Sequence, residues 1–328
     1  MSTWLKNALQ YTFGIGLGVG LLYLAFAGVN WDTFRSQLQG AHYEWLIGIL
    51  LFTGLAHFLR GLRWALMLKA SGSPVSGVNA FWAVMVGYMT NCAVPRLGEI
   101  TRCSILKRSD NVPLTSAFGT VVAERAIDLF VLVGMMLLLL LVEFDRLITV
   151  LERFFPAKGL MLLIGVAILG LLGLAMAWVM RARLSRLPLL SKAYSFIEQL
   201  IEAALSLRHL KQRWLFSFYT VGIWFCYVMC NFLAFQVVDS MQGFSFYFAF
   251  VLMMFSALAM IVPVPGGLGS AHHAYILTFL AFGLSDDMGR LFAILAHTPG
   301  FLFSIVVGAI GYFVLIFRKP AIAQTLTN

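Results

Sequence analysis

The sequence predicts an all-α integral membrane protein with about six full spans and two re-entrant, broken helical hairpins. Of the 328 residues, 61% are hydrophobic and 11% charged, against about 45–50% and 25% in soluble domains. The apolar residues come in long continuous runs, not in the short alternating segments of a membrane barrel. Two runs are broken internally by proline and glycine, at residues 95–98 and 263–269. Backbone that leaves the helix at membrane depth has to be buried in protein or line a cavity.

The first span covers residues 9–29, with Lys6 ahead of it. It is too long for a signal peptide, and Gly14, Gly16, Gly18 and Gly20 permit close helix contact. A polar loop, 30–43, leads into a second span at 45–68. Here His57, Arg60 and Trp64 share a face, and the arginines, with Arg63, could snorkel to the interface or reach phosphates, of which simple anchoring of the span is the reading favoured.

Residues 78–94 are short for a span and run directly into Pro95. Pro95 removes a helix donor and Gly98 loosens the backbone, so 78–110 reads as a re-entrant segment. The next span, 114–142, is interrupted only by Glu124, Arg125 and Asp128. These elements form the first half, 1–142.

The second half, 159–320, opens with a span at 160–180. A connection follows that carries Arg181, Arg183, Arg186, Lys192, Arg208, Lys211 and Arg213. Within it, about 193–207 reads as an amphipathic helix on the membrane surface. A span at 215–238 precedes the second re-entrant segment, 244–283, whose Pro263, Pro265, Gly266, Gly267 and Gly269 cannot continue a helix. The last span, 291–316, ends at Arg318 and Lys319.

Most of the 23 Lys and Arg then lie on one side, which the positive-inside rule makes cytoplasmic, with both termini. The first re-entrant segment dips from the cytoplasm and the second from outside. Interrupted segments of opposite sense, one per half, point to a transporter site at the interface of an inverted repeat. The repeat rests on topology alone. No linker divides the chain, so 1–328 reads as a single polytopic domain. Cys92, Cys103, Cys226 and Cys230 read as small hydrophobes in packed helices.

The chain has no P-loop, dinucleotide-binding glycine pattern, HExxH or GxSxG, so no cofactor is expected. His272, His273 and His297 do not read as a metal site, because adjacent histidines point to different helix faces and no suitably spaced carboxylate joins them. Charges at membrane depth are costly and mark function. A helix starting after Pro95 would present Arg96, Glu99 and Arg102 on one side, and the planar arginine fork matches phosphate. Helix starts after Pro95 and after Gly269 would add backbone N–H groups. Glu124 and Asp128, at i,i+4, require a cation from Arg125, Arg102 or Arg96. The same residues would also suit a closed ion-pair network that pins helices together.

Three ordered motifs carry a resemblance: Asn91-x-x-x-Pro95-x-x-Gly98-Glu99-x-x-Arg102, Glu124-Arg125-x-x-Asp128 and Pro265-Gly266-Gly267-Leu268-Gly269. With Arg63-Trp64, they resemble the lysylphosphatidylglycerol synthase transmembrane family. These are flippase-like proteins similar to the lipid-translocating domain of the bacterial multiple peptide resistance factor. The resemblance covers nearly the whole chain and implies a multi-pass protein of a bacterial or archaeal cytoplasmic membrane that moves lipids between leaflets. The soluble aminoacyltransferase domain of that factor has no counterpart here, so synthesis of lysyl-lipid by this chain alone is not expected. Family members often carry Glu three residues after the last glycine of the third motif, where this chain has His272.

The expected function is therefore a membrane lipid translocase that holds a phospholipid or lipid-linked phosphate headgroup. Arg96, Arg102 and Arg125 would take the phosphate; Glu99, Glu124 and Asp128 would balance them or hold a cationic group. Pro265, Gly266, Gly267 and Gly269 would let the backbone approach, Asn91 belongs to the first motif, and His272 would be a proton-sensitive contact. The alternatives are a membrane-embedded enzyme or subunit for glycosyl or aminoacyl transfer on polyprenyl-phosphate or phospholipid, and a scaffold holding a separate synthase through the basic connection. The partners expected are the lipid and the bilayer, with no nucleic acid; a separate lipid-modifying enzyme and a second copy of the chain stay open.

Overall fold

The computed structural model describes residues 16, 18–25, 31–144 and 212–317. Among these the regular structure is helical, without strands. The helices are α1 (Trp31–Gln39), α2 (Glu44–Ala70), α3 (Gly77–Ala93), α4 (Leu97–Asp110), α5 (Leu114–Val142), α6 (Arg213–Gln236), α7 (Phe246–Ala259), α8 (Ser270–Ala281) and α9 (Asp286–Phe317). Residues 18–25 are helical too. The expected span at 160–180 and the amphipathic helix at 193–207 lie outside the described residues, as does most of the first span.

Among the described residues four helices, α2, α5, α6 and α9, are long and apolar enough to cross a membrane. The chain divides into two compact units, Met1–Val121 with Leu210–Asn328, and Val122–His209, the division falling inside α5. In the first unit α2 packs on α6, α3 lies against α2 and α9, and α8 against α7 and α9.

The short helices come in two antiparallel pairs of one design. In α3, Ser76 Oγ accepts from the Asn79 N–H at 3.1 Å, and in α7 Ser245 Oγ accepts from the Phe248 N–H at 3.2 Å. Such serine caps satisfy donors that the first helical turn leaves orphaned. The pairs end at left-handed residues, Asn111 (φ 57°) after α4 and Gly283 (φ 75°) after α8.

Both pairs return to where they began. Asn79 Nδ2 donates to Asp110 Oδ1 at 2.6 Å, tying the start of α3 to the end of α4. In the second pair, Phe248 lies 4.8 Å from Phe282 and 5.1 Å from Phe279 between ring centroids. At 1.5 Å per residue the four helices run about 18–25 Å, short of the roughly 30 Å hydrocarbon core. The order long helix, capped pair, long helix occurs twice: α2, α3/α4, α5, and again α6, α7/α8, α9.

Two expectations need correcting. The last long helix begins at Asp286, not 291, because Ser285 Oγ caps the Met288 N–H at 3.3 Å and Asp286 and Asp287 stand in its first turn. Carboxylates there suit the positive end of the helix dipole, so residues read as loop are helix. Arg60 and Arg63 do not snorkel: they are 5% and 0% exposed. Polar groups on α6 receive them, with Arg60 Nη2 donating to the Tyr227 hydroxyl at 3.4 Å and Arg63 Nη1 to Thr220 Oγ1 at 3.2 Å.

Candidate functional site

The first break follows from residues 94–96. Val94 is extended, Pro95 follows, and Arg96 takes φ 64°, ψ −2° as the residue before α4. A left-handed non-glycine residue costs on the order of 1 kcal/mol. What offsets it is visible across the molecule: Arg96 Nη2 donates to the Ile261 carbonyl, at 3.1 Å, just past the end of α7. Because α4 begins at Leu97, Arg96 stands outside the helix, and the single helical stripe of Arg96, Glu99 and Arg102 expected from the spacing does not form.

Asn91 clasps the break. Its Oδ1 accepts from the Gly98 N–H at 2.7 Å and its Nδ2 donates to Glu99 Oε2 at 3.5 Å. One early donor of α4 is thereby already occupied. Gly98 and Gly87 let α3 and α4 touch backbone to backbone; a Cβ on Gly98 would overlap the Gly87 carbonyl and the Asn91 side chain.

Arg102 sits lower on α4 and is 3% exposed. Its guanidinium carbon lies 4.5 Å from the Trp64 ring centroid. That indole in turn donates through Nε1 to Thr120 Oγ1 at 2.9 Å. A desolvated cation over an indole gains about 2 kcal/mol, so Trp64 fixes where Arg102 stands. Sequence reasoning had left Trp64 outside the candidate set; it became visible only once α2 was laid beside α4.

The second break is the turn Pro265–Gly267, in which Gly266, Gly267 and Gly269 have φ of 53°, 74° and 82°. Substituents there would collide: a Cβ on Gly269 would lie 2.5 Å from Leu21 Cβ, and one on Gly18 would lie 3.3 Å from Pro265 Cδ. The first helix and the second break thus fit by mutual absence of side chains. Gly266 also faces the first break, since its Cβ would lie 3.4 Å from the Cys92 Cα.

The structure therefore brings Arg96 to Ile261 and Cys92 to Gly266, with Asn91 and Glu99 joined at the first break and Gly269 and His272 following the second. His297 joins them. From α9, two residues before Pro299, its Nε2 bonds the Gly266 carbonyl at 3.0 Å, and its ring centroid lies 4.9 Å from that of His272. In the sequence it had been weighed only as a metal ligand; among the described residues no three metal-capable side chains converge.

Glu124, Arg125 and Asp128 stand within the second unit on one turn of α5. Glu124 is fully buried, Asp128 half-buried and Arg125 exposed.

At the end of the first unit where α2 begins, His42 Nε2 bonds Asp239 Oδ1 at 2.9 Å and its Nδ1 lies 3.4 Å from Glu44 Oε1. The Asp239 hydrogen bond, with the nearby negative charge of Asp239 and Glu44, holds the imidazole pKa above its ordinary 6.5.

Comparison with known proteins finds relatives that are membrane proteins. The UPF0104 membrane protein PH1989 of Pyrococcus horikoshii is 23% identical over 335 residues, covering 95% of this chain and 98% of its own. The UPF0104 membrane protein MJ1595 of Methanocaldococcus jannaschii is 28% identical over 111 residues, 33% of this chain and 32% of its own. No solved structure matches. The family model described as the lysylphosphatidylglycerol synthase TM region matches residues 11–308, and with that span covered, this multi-pass membrane protein belongs to the lysylphosphatidylglycerol synthase transmembrane family.

Proposed function

We propose that the protein is a lipid translocase that holds a phospholipid or lipid-linked phosphate headgroup where its two helix breaks adjoin, while the acyl chains stay in the bilayer. The observation that carries this is the meeting of the breaks, Arg96 on the Ile261 carbonyl and Gly266 against Cys92. Interrupted helices in corresponding positions of two halves are where membrane transporters build substrate sites. In this reading the pairs α3/α4 and α7/α8 are re-entrant from opposite faces of a bacterial or archaeal cytoplasmic membrane, with both termini cytoplasmic.

Arg96 and Arg102 supply donors for the phosphate oxygens, an arrangement for which the guanidinium fork is suited. Trp64 occupies one face of Arg102, and the phosphate takes in-plane N–H groups. Glu99, oriented by Asn91, balances the cations, and Gly266, Gly267 and Gly269 leave room at the turn that Pro265 opens. His272 is a headgroup contact. The charged turn of α5, Glu124, Arg125 and Asp128, is proposed to select headgroup charge.

Fluorescent phosphatidylglycerol in vesicles reconstituted with the purified protein tests the reading, with dithionite added outside. Wild-type protein should expose the protected inner pool. Arg102→Ala should slow that loss at least about tenfold, as expected when one charge-assisted phosphate contact worth roughly 1.5–3 kcal/mol is removed. A folded Arg102→Ala that moves lipid at the wild-type rate rejects the assignment.

A further inference from the structure

We infer that His297 and His272 form a proton-binding site that loads when an anionic headgroup enters, so that headgroup binding takes up one proton. The inference rests on the headgroup reading above and assigns a second ligand, H⁺, to the same site.

The hydrogen bond between His297 and Gly266 fixes the chemistry of the pair. A carbonyl oxygen can only accept, so His297 Nε2 carries a hydrogen. Its Nδ1 is then the position that gains or lacks a proton. That atom is buried and finds no hydrogen-bond partner among the described residues. The His272 ring, 3% exposed, stands edge-to-face beside it with centroids 4.9 Å apart. Two imidazoles this close do not both carry charge away from water, because like charges at short range in a poorly solvated site repel strongly. The pair therefore holds one proton or none.

Its surroundings decide which. Among the described residues, the charged groups on the elements packed against α8 and α9 are Glu44, Arg60, Arg63 and Lys69 on α2, Glu99, Arg102, Lys107, Arg108 and Asp110 on α4 and Arg213 on α6, with Arg96 just ahead of α4. The other titratable groups there are His57, Tyr88, Cys92, Cys103, Tyr219, Cys226, Tyr227, Cys230 and Tyr247, and on α8 and α9 themselves His273, Tyr275, Tyr312, Asp286, Asp287 and Arg290. A lone proton on the pair would be a charge held away from water, which burial opposes while the site is empty. A phosphodiester bound where the breaks adjoin sets a negative charge near the pair and favours the proton. By linkage, whatever the anion does for the proton, the proton does for the anion. Headgroup affinity must then rise as pH falls wherever the empty pair is neutral and the occupied pair charged.

The test uses full-length protein in detergent and a short-chain phosphatidylglycerol, whose phosphodiester does not titrate between pH 5.5 and 8.5. Binding is followed by calorimetry at several pH values, in two buffers of different ionisation enthalpy so that protons are counted directly. The wild type should bind up to about tenfold tighter per pH unit on acidification, with one proton taken up per headgroup. His297→Gln retains an amide donor for the Gly266 carbonyl but has no basic nitrogen. It should flatten the dependence and leave affinity at or below the wild type's weakest, alkaline value. His272→Gln should do the same, and an unfolding temperature within a few degrees of wild type would show that each variant is folded. Binding that ignores pH in the wild type overturns the inference while leaving the headgroup site standing. A slope that survives in both variants overturns it as well. Absence of saturable binding at every pH by folded wild type removes the headgroup reading and this inference together.

Discussion

Gly98 is the residue on which the first break depends most directly. A Cβ there would meet the Gly87 carbonyl and the Asn91 side chain, and neither is the flexible end of a long side chain. Gly98→Ala should therefore push α3 and α4 apart, disturb the Asn91 clasp and cost about 1–3 kcal/mol, the usual range for overpacking. Thermal unfolding in detergent checks this; an unchanged unfolding temperature would show that the pair has slack. The sequence disclosed Gly98 as a loosened position beside Pro95, because proline and glycine act locally. It did not disclose Gly87 as the surface that Gly98 touches, since that contact joins two helices. Arg60 and Arg63 show the same limit. Their place in the second half of an apolar run looked like an interfacial anchor, and only α6, more than 150 residues later in the chain, supplies the Tyr227 and Thr220 groups that let them stay buried.

At the scale of elements, helix existence was legible and helix ends less so. Runs of apolar residues gave α2, α5 and α6 within a few residues, because an apolar helix is what the bilayer enforces. The start of α9 was hidden by Asp286, Asp287 and Arg290. Those charges pair with one another, Arg290 lying 2.9 Å from both carboxylates, and so extend the helix beyond its apolar stretch. The loops also connect elements in ways the sequence leaves unspoken. His42, ahead of α2, joins Asp239, between α6 and α7, and its N–H donates to the Val237 carbonyl at 2.8 Å. Because the folded imidazole has a raised pKa, its contribution to stability is fully present below the unfolded value near 6.5. That contribution is lost as pH rises through the folded value. The unfolding temperature of the wild type should thus fall over the interval just above pH 6.5, and His42→Gln should lack that component. Identical pH profiles for the two proteins would mean the link carries no free energy.

At the scale of the molecule, the repeated order of long helix, capped pair and long helix is what gives the two breaks their relation. Two copies of the same plan, if inserted with opposite sense, aim both tips at the membrane midplane. If inserted with the same sense, both pairs would enter from one side and both breaks would face the same leaflet. Arg96 reaching Ile261 fixes the tips as neighbours, and the Asn79 and Asp110 bond fixes the two ends of the first pair as neighbours too. In the proposed inverted arrangement the ends of the first pair share one compartment and the ends of its counterpart the other. Single cysteines at exposed positions, Ser71→Cys and Lys107→Cys for the first pair, Ser240→Cys and Ser285→Cys for the second, placed in a chain whose four native cysteines are alanine, convert that into a measurement. A membrane-impermeant maleimide should label the first two only in inside-out vesicles and the last two only in spheroplasts. Labelling of positions 71 and 107 from opposite sides would break the pairing of α3 with α4, since a re-entrant pair and a twice-crossing pair both return to the side they left. Labelling of all four from one side would remove the inverted arrangement, and both pairs would then start and end on that side.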